Sequence, residues 1–229
     1  MIDLAGFAQS LSVWALPVVA AITLHEAAHG WMADRLGDDT ARRLGRVSFN
    51  PIRHVDPFGT FVLPVALLLL NSPFVFGWAK PVPVAFHRLR NPKIDMIWVA
   101  LAGPGINILL ALASGIVLHA VGQLQSNVFS LWLWNNFWNF IYANIILACF
   151  NMLPILPLDG GRVLTGLLPG RLAWRYARSE PYGLLIVMGL AFIVPLAAGQ
   201  LGFAFNPLAY VLLPMMRAAE TVIRLVTGW

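Results

Sequence analysis

Three side chains in the run Thr23-Leu24-His25-Glu26-Ala27-Ala28-His29-Gly30 have the types and the spacing to do chemistry. The pattern is H-E-x-x-H. On a helix, His25 and His29 lie one turn apart and project from one face, so two imidazole nitrogens can meet one metal ion. Glu26 stands beside them, close enough to take a proton from a water on that ion without being a ligand itself. Upstream the run is apolar from Leu11 to Leu24. Ionisable residues inside an apolar span are costly and mark function. A chance grouping on a surface helix is therefore the weaker reading.

A hydrolytic zinc site takes three protein ligands and leaves a fourth position for water. Asp159 is the best candidate for the third ligand, because it is the only acidic residue between Asp95 and Glu180. Pro154 and Pro157 remove backbone donors and Gly160 and Gly161 permit unusual dihedrals, so Asn151 to Gly161 reads as irregular. At membrane depth such backbone is tolerated only where it is buried in protein or lines a wet cavity. The bland alternative is a proline-kinked helix in which Asp159 merely caps the helix starting at Gly160.

His25-Glu26-Ala27-Ala28-His29, together with Asn151-x-x-Pro154-x-x-Pro157-Leu158-Asp159-Gly160, resembles the site-2 protease family of intramembrane metalloproteases, in its compact form without PDZ or CBS domain. Ala102-Gly103-Pro104-x-x-Asn107 resembles that family's third motif. The resemblance runs in order from the first span to Arg162. It implies one Zn2+ per chain held by His25, His29 and Asp159, with Glu26 as general base and Asn151 near the scissile bond. It also implies that the substrates are membrane-spanning or membrane-anchored proteins. These would be cut in or near their transmembrane segments, to release a regulator or to clear signal-peptide remnants. Gly103, Pro104, Asn107 and His54 are further candidates for substrate contact. Asn107 reads equally well as a hydrogen bond between helices. His54, in Asn50-Pro51-x-x-His54-x-Asp56-Pro57, reads more simply as a hydrogen bonder that orders its loop.

These residues need a frame, and composition says what kind. Hydrophobic residues make up 59% of the 229, charged residues 11%, and the mean hydropathy is +0.74. That is far from a soluble globular average, so the chain reads as an integral membrane protein in contact with the lipid bilayer. The formal charge of +5 calls for no nucleic acid, since basic residues flanking apolar spans follow the cytoplasmic loop bias and anionic headgroups. With Cys149 as the single cysteine, an internal disulfide is excluded. Met1 to Ser10 carries only Asp3 as a charge, so the first apolar stretch reads as a retained span.

The predicted fold is an all-α polytopic membrane protein, one domain over 1–229, with a catalytic core about 4–168 and C-terminal helices about 181–226. Spans are expected over Leu4 to Ala33, Lys93 to Val121, and Trp138 to Phe150 completed by Arg162 to Leu168. Two more follow over Pro181 to Ala198 and Asn206 to Val226. After the first span, Pro57 to Ala79 is apolar but broken and reads as a re-entrant element. Val47 to Phe49 and Lys80 to Val84 read as short strands able to pair with an extended substrate. Five to six transmembrane helices result. If Pro57 to Ala79 returns to the side it entered, all 15 Lys and Arg fall on or beside one face of the membrane. Gly122 to Asn139 and Gly199 to Phe205, which have none, fall on the other. The positive-inside bias makes the charged face cytoplasmic. A multi-pass protein of the cell membrane is expected, with its metal site nearer that face, because the histidines shortly precede the charged loop from Asp34. Two other functions share parts of this pattern, a zinc transporter and a pseudoprotease that only binds membrane segments. The transporter has no need of Glu26 beside the ligand pair, and the intact ligand set speaks against the pseudoprotease.

Overall fold

The computed structural model describes residues 4–63, 65–66 and 77–229. Helix α1 (Leu4–Arg35) is a continuous run of 32 residues in which Pro17 does not end the helix. At 1.5 Å per residue it is about 48 Å long, more than a bilayer's hydrocarbon core. A short α2 (Thr40–Arg43) follows, then α3 (Pro92–Val121). Helix α3 starts on Pro92, whose missing amide costs nothing in the first turn, and Asp95 Oδ2 accepts the backbone N–H of Asn91 at 2.7 Å.

Helix α4 (Val128–Asn151) begins well before the expected Trp138. Asn127 Oδ1 accepts from the amides of Phe129 and Ser130 while Ser130 Oγ accepts from the amide of Asn127, a reciprocal cap that satisfies the first orphan donors. Most of the uncharged stretch Gly122 to Asn139, expected to lie on the uncharged side of the membrane, is therefore helical. Its asparagines serve the helices: Asn139 Nδ2 donates to Val13 O of α1, and Asn144 Nδ2 to Phe140 O of its own helix. Beyond an irregular Met152–Leu158 come α5 (Asp159–Leu167) and α6 (Gly170–Ala177). A broken helical stretch follows, α7 (Gly183–Met188), a wider π turn and α8 (Val194–Gln200), and then α9 (Pro207–Thr227).

Helices α1, α3 and α4 pack on one another, and α5 lies against α3. An apolar core joins α3, α4 and α9 through Ala111, Leu118, Ile141, Ile145, Met216 and Ile223. Among the described residues three stretches are long and apolar enough to cross a bilayer: Ala8–Arg35, Pro92–Val121 and Gly170–Gln200. The architecture is that of an α-helical membrane protein.

Among the described residues no strand forms, so the strands expected at Val47 to Phe49 and Lys80 to Val84 are corrected. Their polar groups are engaged individually. Arg46 donates a guanidinium N–H to Lys80 O at 2.6 Å, Lys80 N–H donates to His54 O at 2.8 Å, and Ser48 O is bonded to His54 Nε2 at 2.9 Å. Pro81 and Pro83 have no N–H to offer a ladder. Much of the re-entrant element expected over Pro57 to Ala79 lies outside the described residues. Its two ends are joined, since Trp78 N–H donates to Gly59 O at 3.1 Å and Thr60 Oγ1 to Trp78 O at 3.0 Å.

Candidate metal centre

Near the C-terminal end of α1, His25 and His29 turn one face toward α3 and the start of α5. Their Nε2 atoms are 3.1 Å apart, with the rings almost perpendicular at 85°. Asp159, the first residue of α5, meets both: Oδ2 is 3.2 Å from His25 Nε2 and Oδ1 is 3.3 Å from His29 Nε2. The residue before it, Leu158, is the helix cap and provides no side-chain bond. Asp159 is thus no cap, and its carboxylate faces the two imidazoles.

What stands behind each ring decides which nitrogen is free. His29 Nδ1 lies 2.8 Å from Val99 O, which can only accept, so Nδ1 carries the hydrogen. His25 Nδ1 lies 2.6 Å from Asn107 Oδ1. Asn107 Nδ2 faces two further acceptors, Asn144 Oδ1 at 2.7 Å and Ala21 O at 3.3 Å, which orients its amide with the oxygen toward His25. In both neutral rings Nε2 is then a bare lone pair. Two such nitrogens and two carboxylate oxygens converge with no donor between them. Asp159 Oδ2 is buried without a hydrogen-bond partner. Such a cluster of acceptors is stable around a cation. A tetrahedral zinc with bonds of about 2.0–2.1 Å spaces its ligand atoms about 3.3–3.4 Å apart, close to the distances seen here. Two imidazoles and a carboxylate, each imidazole held from behind, are a donor set that suits zinc.

Gly103 makes the approach possible. A Cβ there would sit 2.5 Å from His29 Nε2 and 2.6 Å from His25 Cε1, in the space at the ligand atoms. Gly160 does the same for the other wall, because a Cβ on it would run into Met152 O, and the irregular Met152–Leu158 could not fold against the first turn of α5.

Glu26 is half-buried one residue from His25, and its Oε2 accepts the backbone N–H of Val82 at 2.7 Å. That amide is delivered by the segment whose Lys80 is clamped between Arg46 and His54. The other expected residues are placed as follows. Asn107 is wholly buried, at 0% exposure, behind His25. Pro104 is buried on the same turn of α3 as Gly103. His54 is buried in its loop, bonded to Ser48 O. Asn151, the last residue of α4, donates from Nδ2 to Leu147 O at 3.0 Å of its own helix. Sequence reasoning missed Asn144, Val99 and Val82. The last two act through backbone atoms, which leave no signature in residue type.

Comparison with known proteins bears on this arrangement. The profile described as Peptidase family M50 matches residues 114–196. A protein of Bacillus subtilis (strain 168), named "Putative zinc metalloprotease YwhC", is 35% identical over 208 residues, covering 90% of this chain and 86% of that protein. The chain belongs to peptidase family M50, the site-2 protease family. Rip2 of Mycolicibacterium smegmatis is 29% identical over 169 residues, 74% of this chain and 62% of Rip2. Rip2 of Mycobacterium tuberculosis (strain H37Rv) is 26% identical over 181 residues, 79% of this chain and 66% of its own length. No solved structure matches the chain.

Proposed function

We propose that this M50 protein is a zinc endopeptidase that hydrolyses peptide bonds in or near the transmembrane segments of other membrane proteins. The observation that carries the reading is the meeting of His25, His29 and Asp159 beside a tethered Glu26. His25, His29 and Asp159 would hold the zinc. Zinc held there would supply Lewis acidity for the hydrolysis of a peptide bond near neutral pH. Glu26 takes the proton of the attacking water on its carboxylate and returns it to the leaving amide nitrogen. Val82 N–H occupies only Oε2, which leaves Oε1 for the proton and fixes the carboxylate's direction. Val99 O and Asn107 hold the imidazole tautomers. Asn151, at the end of α4 where the segment leading to Asp159 begins, is the candidate to bind the substrate backbone. The close pairing of acceptors with a general base is what a metal carrier would not need.

The same reading sets the membrane placement. The joined ends at Gly59, Thr60 and Trp78 support a segment that returns to the side it left. The chain then crosses the cell membrane five times. Arg35, Arg42, Arg43, Arg46 and Arg53, crowded just after the histidines, put the site near the cytoplasmic face. Glu26→Gln tests the whole. It should keep its zinc and lose about 10²–10⁴-fold in cleavage rate, and uncleaved single-span proteins should accumulate in membranes carrying it. Unchanged cleavage would overturn the reading, and loss of metal transport instead of cleavage would point to a carrier.

A further inference from the structure

Helix α6 takes no part in the metal centre, and its two sides differ. Positions 171, 174, 175 and 178 recur at spacings of three and four and share one side of the helix and its last turn. Arg171, Trp174, Arg175 and Arg178 are all exposed, Trp174 by 62%, whereas Ala173, Tyr176 and Ala177 are half-buried. The Tyr176 hydroxyl pins the covered side by donating to Pro154 O at 2.8 Å. Gly170, Arg171, Trp174 and Arg175 together form an open, shallow surface on this side.

The charge on this side is uncompensated. Among the described residues none of the three guanidiniums pairs with a carboxylate. The neighbouring acid, Glu180, is already held by Arg162. Arg178 lies over the Trp174 ring at 4.8 Å from its centroid, which keeps the cations and the indole together. The helix begins the candidate span Gly170–Gln200, so it sits where a span meets the headgroup layer. Guanidinium forks fit phosphate oxygens in pairs, and indole rings settle at that depth.

We propose that the Arg171–Trp174–Arg175–Arg178 side of α6 is a seat for the phosphate headgroup of an anionic phospholipid. Arg171 and Arg175 grip the phosphate, Arg178 adds charge, and Trp174 packs on the glycerol region. The bond from Tyr176 to Pro154 ties the occupied helix to the segment that leads into Asp159. The seat does not depend on the peptidase reading.

The test uses the full chain in detergent, titrated with phosphatidylglycerol, with phosphatidylcholine of the same acyl chains, and with inorganic phosphate, and bound lipid is counted by native mass spectrometry. Phosphatidylglycerol should bind in clear preference to phosphatidylcholine. At about fivefold for each arginine, R171Q/R175Q should weaken it about 25-fold, while Arg217→Gln leaves it unchanged. Equal binding of the two lipids overturns the proposal, as does a double variant with undiminished preference. Displacement of the lipid by millimolar phosphate also overturns it, in favour of a free-anion site. Should the double variant not fold, quenching of Trp174 decides, taken as wild type minus Trp174→Phe. Brominated phosphatidylglycerol must quench it more than brominated phosphatidylcholine, and equal quenching refutes the seat.

Discussion

Replacing Gly103 by alanine adds one methyl group at the point where α3 meets the two imidazoles. Its Cβ would stand 2.5 Å from His29 Nε2 and 2.6 Å from His25 Cε1, whereas ordinary contact begins near 3.4 Å, so the rings must retreat by about 0.9 Å. Neither ring is free to do so. His25 is held at 2.6 Å by an asparagine with no exposure, and His29 at 2.8 Å by the carbonyl of Val99, one turn earlier on the same helix as the intruding methyl. Overpacking of this kind costs about 1–3 kcal/mol in stability. Metal ligands tolerate displacements of only about 0.2 Å, and disturbing the groups behind them weakens metal binding about 10–100-fold. Gly105→Ala is the control, on the same helix with nothing within 4 Å of its Cβ. It should be neutral or gain up to about 1 kcal/mol from helix propensity. Zinc content is read by elemental analysis after dialysis against graded chelator, with cleavage of a single-span substrate measured in parallel. A Gly103→Ala protein that keeps wild-type zinc affinity would refute the geometry.

Other perturbations reach the site from its supports. Asn107→Leu strands the His25 N–H in a dry site at a cost of about 1–3 kcal/mol and should lower zinc affinity about 10–100-fold, as read by thermal unfolding and zinc titration. Val82→Pro removes the amide that holds Glu26. Cleavage should fall about 100-fold while zinc content stays at the wild-type level, and a parallel loss of zinc would contradict the assigned role. Asn127→Ala deletes the cap of α4 and should cost about 1 kcal/mol, visible in the unfolding midpoint with zinc binding unaffected.

Much of the centre was legible in residue types. His25, Glu26 and His29 stand at helical spacing, and Asp159 is the lone acid of a long apolar stretch, so their meeting followed from the cost of charge in lipid. The bounds of α1 and α3 followed from apolar runs ended by charge or proline. The start of α4 did not, although Asn127-x-x-Ser130 carries a cap signature. Tryptophans and asparagines mask its hydropathy, and the buried amides that make it a helix partner only in three dimensions. Asn107 was legible as functional or interhelical and is placed as the support of His25. The strands were misread because alternation at Lys80 to Val84 mimics a ladder, while its prolines have no N–H and the amides of Lys80 and Val82 go to His54 and Glu26.

The hold of Val82 on Glu26 couples two distant parts of the chain. The proton acceptor sits on one helix, yet its aim is set by a stretch of chain that arrives from beyond the segment joining Gly59 to Trp78. Any shift of residues 80–84 therefore also slackens the Glu26 carboxylate, so the place of that stretch and the aim of the carboxylate are mechanically linked.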